Sequence, residues 1–361
     1  MKTGLADHLD NEAVIKKLDP NGCLSSVKNL SSQIEVTWQE VSKFPLNISG
    51  TDISSIYFCG MGGSSYAGRI IKSLYFKSLN VPVEIVDNYH LPQSVNKKSL
   101  IICASYSGDT EETLSVCYEA LAKNLPLIGV SSGGKLSFLL KKNNRLIYNF
   151  KEKFNPSGQP RLGQGYMITS QLSLLSKLNL IRVNDEDVKR LISFLNIQSR
   201  NLDERIPLNL NQAKQIARKF SAKIVNLVAS EFLEGVLHAV RNPLNETGKH
   251  FANYFILPEL NHHLLEGLKY PKMIQKSALF VFLESAFYSS RIKKRMTITK
   301  EVVAKIGIDS VTINLSGKSQ LEQVFELLQL FSFVSFYLAM VHKLNPAPVL
   351  WVDYFKKKLS S

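Results

Sequence analysis

Two short segments rich in glycine and hydroxyl side chains carry the first chemistry of this 361-residue chain. The first, Phe58-Cys59-Gly60-Met61-Gly62-Gly63-Ser64-Ser65, lies between a strand-like run over 53–59 and an amphipathic run over 66–76. Its glycines, Gly63 among them, let the backbone approach a ligand closely. The helix that follows offers unpaired N–H groups and the positive end of its dipole, and Ser64 adds a hydroxyl donor. The second segment, Ser105-Tyr106-Ser107-Gly108-Asp109-Thr110-Glu111-Glu112, joins a strand over 100–104 to a helix over 111–123. It brings Ser105, Ser107 and Thr110 to one turn, and three hydroxyls beside helix N–H groups suit the three acceptor oxygens of a phosphate monoester. Alone, that turn also reads as a helix cap, with Thr110 or Ser107 as N-cap and acids in the first turn. Two such turns together favour a phosphate cradle. Neither is a Walker loop or a dinucleotide fingerprint, since no G-K-[ST] is present and GMGGSS lacks the G-x-G-x-x-G spacing, so nucleotide binding is disfavoured.

A second constellation lies in residues 241–267, RNPLNETGKHFANYFILPELNHHLLEG, where Glu246 and His262 stand sixteen residues apart. Each falls in a polar, loop-like stretch beside an apolar segment, a usual setting for catalytic side chains. Moving a carbonyl between neighbouring sugar carbons takes a base, a group that opens the ring and a cation for the enediolate. A carboxylate and an imidazole can fill the first two roles. The plain alternatives are a solvated surface Glu and a structural His. The adjacent His262 and His263 have no obvious third ligand, which argues against zinc.

These residues need a scaffold, and the pattern supplies one. Strand-like runs over 53–59, 83–86, 100–104 and 127–130 alternate with helical ones, and the alternation resumes at 224–229, 254–257, 278–283 and 311–315. Strands alternating with helices predict βαβ units and parallel sheets covered on both faces. The fold class is therefore α/β, as an αβα sandwich built twice. The predicted division is 1–155 for a first sheet domain with leading helices, 156–220 for a helical linker region and 221–361 for a second sheet domain ending in a basic helix. The longest apolar stretch, LLQLFSFVSFYLAMV over 327–341, is too short for a span and is broken by Gln329, Ser332 and Ser335, so it predicts a buried helix.

The chain carries 44 Lys and Arg against 30 Asp and Glu, a net charge of +14, with 45% apolar residues. That apolar content excludes disorder as the main state. The charge admits nucleic acid, an anionic membrane or a phosphorylated metabolite. The basic runs at 291–295 and 355–358 are short and isolated, which disfavours nucleic acid, and no segment favours a membrane. Cys23, Cys59, Cys103 and Cys117 form no C-x-x-C pair and predict reduced structural thiols, hence a cytoplasmic protein. The polar, acid-bearing N-terminus does not read as a signal peptide.

GMGGS followed by SYSGDTEET resembles the sugar isomerase (SIS) domain, a flavodoxin-like fold that binds phosphosugars. N-E-T-G-K followed by L-P-E-L-N-H is similar to the bifunctional phosphoglucose/phosphomannose isomerases, a branch with two SIS domains. Gly-Gln-Pro-Arg161 resembles that family's P-R motif, and Pro348-Val349 with F-K-K-K-L its last helix. The resemblance runs from about residue 50 to the C-terminus. It implies that Gly63, Ser64, Ser105, Ser107 and Thr110 hold the phosphate, and that His262 and Lys356 assist ring opening. The resemblance further implies that Glu246 shuttles the proton through a cis-enediol, while Arg161 stabilises the developing charge. It also implies a homodimer in which His262 crosses to the neighbouring subunit, and no metal or organic cofactor. The implied reaction converts glucose 6-phosphate to fructose 6-phosphate. Mannose 6-phosphate comes only through the family, since residues 345–348 are Asn-Pro-Ala-Pro where relatives usually carry a Thr. Further departures are His263, Gly267-Leu268 and Leu-Gly-Gln-Gly after Arg161. The competing reading is a non-catalytic SIS sensor of phosphosugars, which has no need of Glu246, His262 and Arg161 together.

Overall fold

The computed structural model describes residues 6–359. Among these residues nine strands form two wholly parallel sheets. The first contains β1 (Ser55–Cys59), β2 (Val83–Val86), β3 (Ser99–Ala104), β4 (Leu127–Ser131) and β5 (Leu146–Asn149), in the order β2-β1-β3-β4-β5. The second contains β6 (Ile224–Ser230), β7 (Ala252–Leu257), β8 (Ala278–Glu284) and β9 (Asp309–Asn314), in the order β7-β6-β8-β9. Both wind alike, and the first order is that of flavodoxin-like folds. Strands β1, β3 and β4 are buried along their whole length, so apolar runs such as Leu-Ile-Ile-Cys-Ala dominate them.

In such sheets a ligand sits beyond the carboxyl ends of the strands where the order reverses. In the first sheet that point lies between β1 and β3, and the two hydroxyl-rich loops leave those strands. The helix Tyr66–Leu74 follows β1, and the helix Glu234–Glu246 follows β6. They pack together across the two sheets. Contact is close because Gly235 carries no side chain: a Cβ there would stand 2.0 Å from the Arg69 carbonyl oxygen. Ser73, near the end of the first helix, donates to the carbonyl of Phe232 and accepts from the N–H of Gly235. The start of one helix thus meets the end of the other. The antiparallel pairing carries Glu246 towards Tyr66 and the loop after β1.

The helices Gln164–Lys177, Asp185–Asn201 and Gln212–Phe220 join the halves, packing on the leading helix Leu30–Lys43 and on Gln320–Val341. The last is apolar and long enough to cross a membrane, yet it is buried within the protein from Glu322 to Val341. All four cysteines are buried and unbridged.

The structure extends the sequence reading at three places. The helix Gly134–Lys142 and strand β5, a partly exposed edge strand of four residues, fill a stretch to which the pattern assigned no element. The basic segment around 291–295 lies in a helix, Ser290–Ile306. The helix after β6 meets a proline at Pro243, which withdraws one backbone N–H from the helix interior. It continues through Pro243 to Glu246, and the N–H groups of Thr247 and Gly248 close on the Pro243 carbonyl.

Candidate active site

Each loop at the reversal point is built by its own hydroxyls. In the first, Gly62 is left-handed at φ +50°, and Gly60 lies where a Cβ would be 2.7 Å from the Ala104 carbonyl oxygen. Ser64 Oγ accepts from the N–H of Tyr106 at 3.1 Å, which ties the two loops together. In the second, Ser105 Oγ accepts from Gly108 N at 3.1 Å and lies 2.7 Å from Thr110 Oγ1. Gly108, at φ +81°, presses against Gly133. Thr110 occupies the N-cap position of the helix Glu111–Ala122 without a side-chain capping bond, so the helix-cap reading of its hydroxyl does not hold. Ser64 and Ser105 are buried, whereas Ser107 is exposed and Thr110 half-exposed. The inner pair therefore shapes the cradle and the outer pair faces solvent. Gly63 lies against the next component, with a Cβ there meeting Arg161 Cα at 3.9 Å.

Arg161 is held by the turn Pro160–Leu162 and is almost wholly buried. Its guanidinium donates to Gln159 Oε1, Thr247 Oγ1 and the carbonyls of Pro346 and Ala347, at 2.6–2.8 Å. Nη1 also stands 4.0 Å from Glu246 Oε2. The glycines after Arg161 are explained by packing: a Cβ at Gly163 would strike the Tyr106 ring and one at Gly165 would strike Gln33.

Glu246 is the last residue of its helix, not part of a loop as the polar stretch suggested, and its side chain is half-buried. Burial pushes its carboxyl above the usual range, opposed by the charges of Arg161, Lys249, Lys356 and Arg241. A carboxylate raised towards neutrality beside an anchored guanidinium is suited to taking and returning a proton. Tyr66 lies fully buried below, and burial together with the Glu246 charge pushes its phenol up.

Lys356 sits on the helix Leu350–Leu359, whose residues are all exposed, and its charge acts on Glu246. His262 lies elsewhere. It is exposed, on the short helix Leu260–His263 after β7. Glu246 precedes β7 and His262 follows it, so a six-residue strand of roughly 17 Å separates them along the sheet. Within one chain the structure brings together Gly63, Ser64, Ser105, Ser107, Thr110, Arg161 and Glu246, but not His262. Sequence reasoning gave no role to Lys249, although the residue stands in the N-E-T-G-K run. Among the described residues no three His, Cys, Asp or Glu are grouped to hold a metal ion.

A family model described as the bacterial phospho-glucose isomerase C-terminal SIS domain matches residues 209–359. The bifunctional phosphoglucose/phosphomannose isomerase of Caldicellulosiruptor bescii is 31% identical over 93% of this chain and 98% of its own length. That of Aquifex aeolicus is 29% identical, over 92% and 97%. A solved structure of a hypothetical protein from Thermus thermophilus shares the fold with a TM-score of 0.72 at 14% identity, covering 99% of this chain and 95% of that one. Two parallel sheets flanked by helices, the first with hydroxyl loops at its reversal point, together with these relatives place the chain among the phosphosugar isomerases of the SIS class. Within that class, the chain belongs to the bifunctional phosphoglucose/phosphomannose isomerase family.

Proposed function

We propose that the protein interconverts glucose 6-phosphate and fructose 6-phosphate, and takes mannose 6-phosphate as a second aldose, by proton transfer through a cis-enediol. The observation that carries this is the Glu246–Arg161 pair, a raised carboxyl 4.0 Å from a buried guanidinium beside a hydroxyl-lined cradle. In this reading the phosphate rests on the loops at Gly63–Ser64 and Ser105–Thr110, with Ser107 and Thr110 donating from the open side. His262 and Lys356 move the protons that open the ring. Glu246 takes the proton from C2, and the electron pair passes to the carbonyl oxygen at C1, whose charge faces Arg161. A proton moves between O1 and O2, and Glu246 returns its own to C1, leaving the ketone at C2. Glucose and mannose phosphates differ only at C2 and share this enediol.

The same reading makes the enzyme a cytoplasmic homodimer. The distance between His262 and Glu246 along one chain supports a site completed by His262 of a second copy. It retains a first sheet domain over 1–155, a helical region over 156–220 and a second sheet domain over 221–361. No metal takes part in these steps.

The test is an assay of purified protein with each hexose 6-phosphate, with and without a chelator, then with Glu246→Gln. Isomerisation that survives the chelator and collapses in the Gln variant is expected. Full activity in Glu246→Gln removes the proton-transfer assignment, and loss with chelator removes the metal-free mechanism.

A further inference from the structure

Lys249 closes the turn after the Glu234–Glu246 helix, and no step above uses it. Its backbone is left-handed, at φ +51°, a region disfavoured for a residue with a Cβ and natural for glycine. Strain of this kind is kept where surrounding structure enforces it, often beside a functional site. The half-buried ammonium donates to the carbonyl of Glu246 and to that of Pro346, the latter at 3.1 Å. The Pro346 carbonyl also accepts from Arg161, at 2.8 Å. One oxygen therefore anchors both cations, and the chain bearing it leads directly into the helix of Lys356.

We propose that Lys249 is a positioning residue of the isomerase, a staple that ties the end of the Glu246 helix to the Pro346 turn and so fixes the Glu246 carboxylate against Arg161. The proposal rests on the assignment of Glu246 as the base. The groups facing the ammonium are Glu246 from its own helix end, Arg161 from the 160–162 turn and Cys23 from the Cys23–Lys28 helix. Next in the chain is His250, whose Nδ1 lies 3.2 Å from Nε2 of His342 at the end of the Gln320–Val341 helix. Burial pushes the Cys23 thiol up to about 12 and both imidazoles down, so these three are uncharged at neutral pH. Lys249 and Arg161 then supply the main charges on Glu246, with smaller contributions from Lys356 and Arg241. Burial and the Arg161 charge push the Lys249 ammonium down to about 8. Its charge is present below that pH and is lost as pH rises through it.

The experiment compares wild type with Lys249→Met, Lys249→Arg and Lys249→Gly for kcat, KM and their pH profiles, alongside thermal unfolding. In Lys249→Met, kcat is expected to fall on the order of 10- to 100-fold with little change in KM, since the phosphate loops are untouched. Its acidic limb moves to higher pH, because a charge that favours the carboxylate is gone. Lys249→Gly relieves the left-handed backbone, holds or gains stability and shows the same kinetic loss, which a purely structural role does not produce. Wild type is expected to lose activity as pH rises through about 8, and Lys249→Arg, which stays charged, is expected to lack that fall. Wild-type kcat and pH profile in both the Met and Gly variants overturn the proposal. If Lys249→Met does not fold, the Gly and Arg variants carry the comparison. If wild type isomerises no hexose phosphate, the functional reading fails by itself. The staple is then judged by a carbon-detected NMR titration of the Glu246 carboxyl, where equal midpoints in wild type and Lys249→Gly overturn it.

Discussion

Replacing Arg161 with Met separates its electrostatic role from its structural one. Nη1 stands 4.0 Å from Glu246 Oε2, with the Arg161 side chain 4% exposed and that of Glu246 36% exposed. Unit charges at that distance attract by about 1 kcal/mol in water and about 4 kcal/mol at the effective dielectric of a protein surface. Solvent reaches the carboxylate, so the lower part of that range applies, about 1.5–2.5 kcal/mol. At 1.36 kcal/mol per pH unit, the Glu246 midpoint moves up by about one to two pH units. The base works ionised, so the acidic limb of kcat/KM moves up by that amount and activity is lost earlier as pH falls. Removing the cation opposite the developing enediolate costs a further 10²–10³-fold, roughly, in kcat. Arg161 also satisfies Gln159, Thr247 and two carbonyls, so some of the loss comes from buried acceptors left unpaired. Arg161→Lys is the control. It keeps the charge but cannot reproduce the fork, so its acidic limb stays near wild type while kcat falls by an intermediate factor. The assay follows fructose 6-phosphate formation between about pH 5 and pH 9, with circular dichroism reporting the fold. A folded Arg161→Met protein with an unmoved acidic limb and a kcat within a few-fold of wild type would refute the pairing.

Mixing inactive Glu246→Gln and His262→Ala proteins after dissociation should restore about a quarter of wild-type activity, because half of randomly re-formed dimers carry one intact site. No recovery from a redistributed mixture removes the partner contribution. Ser107→Ala should raise KM with kcat nearly unchanged, since its exposed hydroxyl is assigned to the phosphate at the open side of the cradle, away from the reacting carbons. A fall in kcat at constant KM places Ser107 elsewhere in the reaction. Gly235→Ala puts a methyl 2.0 Å from the Arg69 carbonyl oxygen and must push the paired helices away from each other. It should cost about 1–3 kcal/mol in thermal unfolding and lower kcat as well, because Glu246 rides on the displaced helix.

What the chain discloses in advance follows from how far apart its contacts are. Strands β1, β3 and β4 are buried on both faces, so they read as unbroken apolar runs, and the hydroxyl loops follow them directly in sequence. β5 is an edge strand of four residues, partly in solvent, and its short run Leu-Ile-Tyr-Asn is a weaker signal. Asn242-Pro243 reads as a helix end, because proline withdraws one N–H and crowds the preceding turn. Packing along the helix holds it together nonetheless, and Glu246 becomes a helix terminus. Arg161 is anchored by Thr247, 86 residues away, and by Pro346, 185 away, and no local pattern encodes either contact. Proximity in sequence misleads in the opposite sense for His262: sixteen residues from Glu246, it lies beyond a full strand. The decisive residue is one with no side chain. Gly235 lets the helix of the second sheet close upon the first, and that contact carries a carboxylate from one sheet to the loops of the other. The carboxylate–guanidinium pair thus belongs to neither sheet alone. A chain that kept every polar residue but filled Gly235 would keep the motifs and displace the carboxylate from the loops.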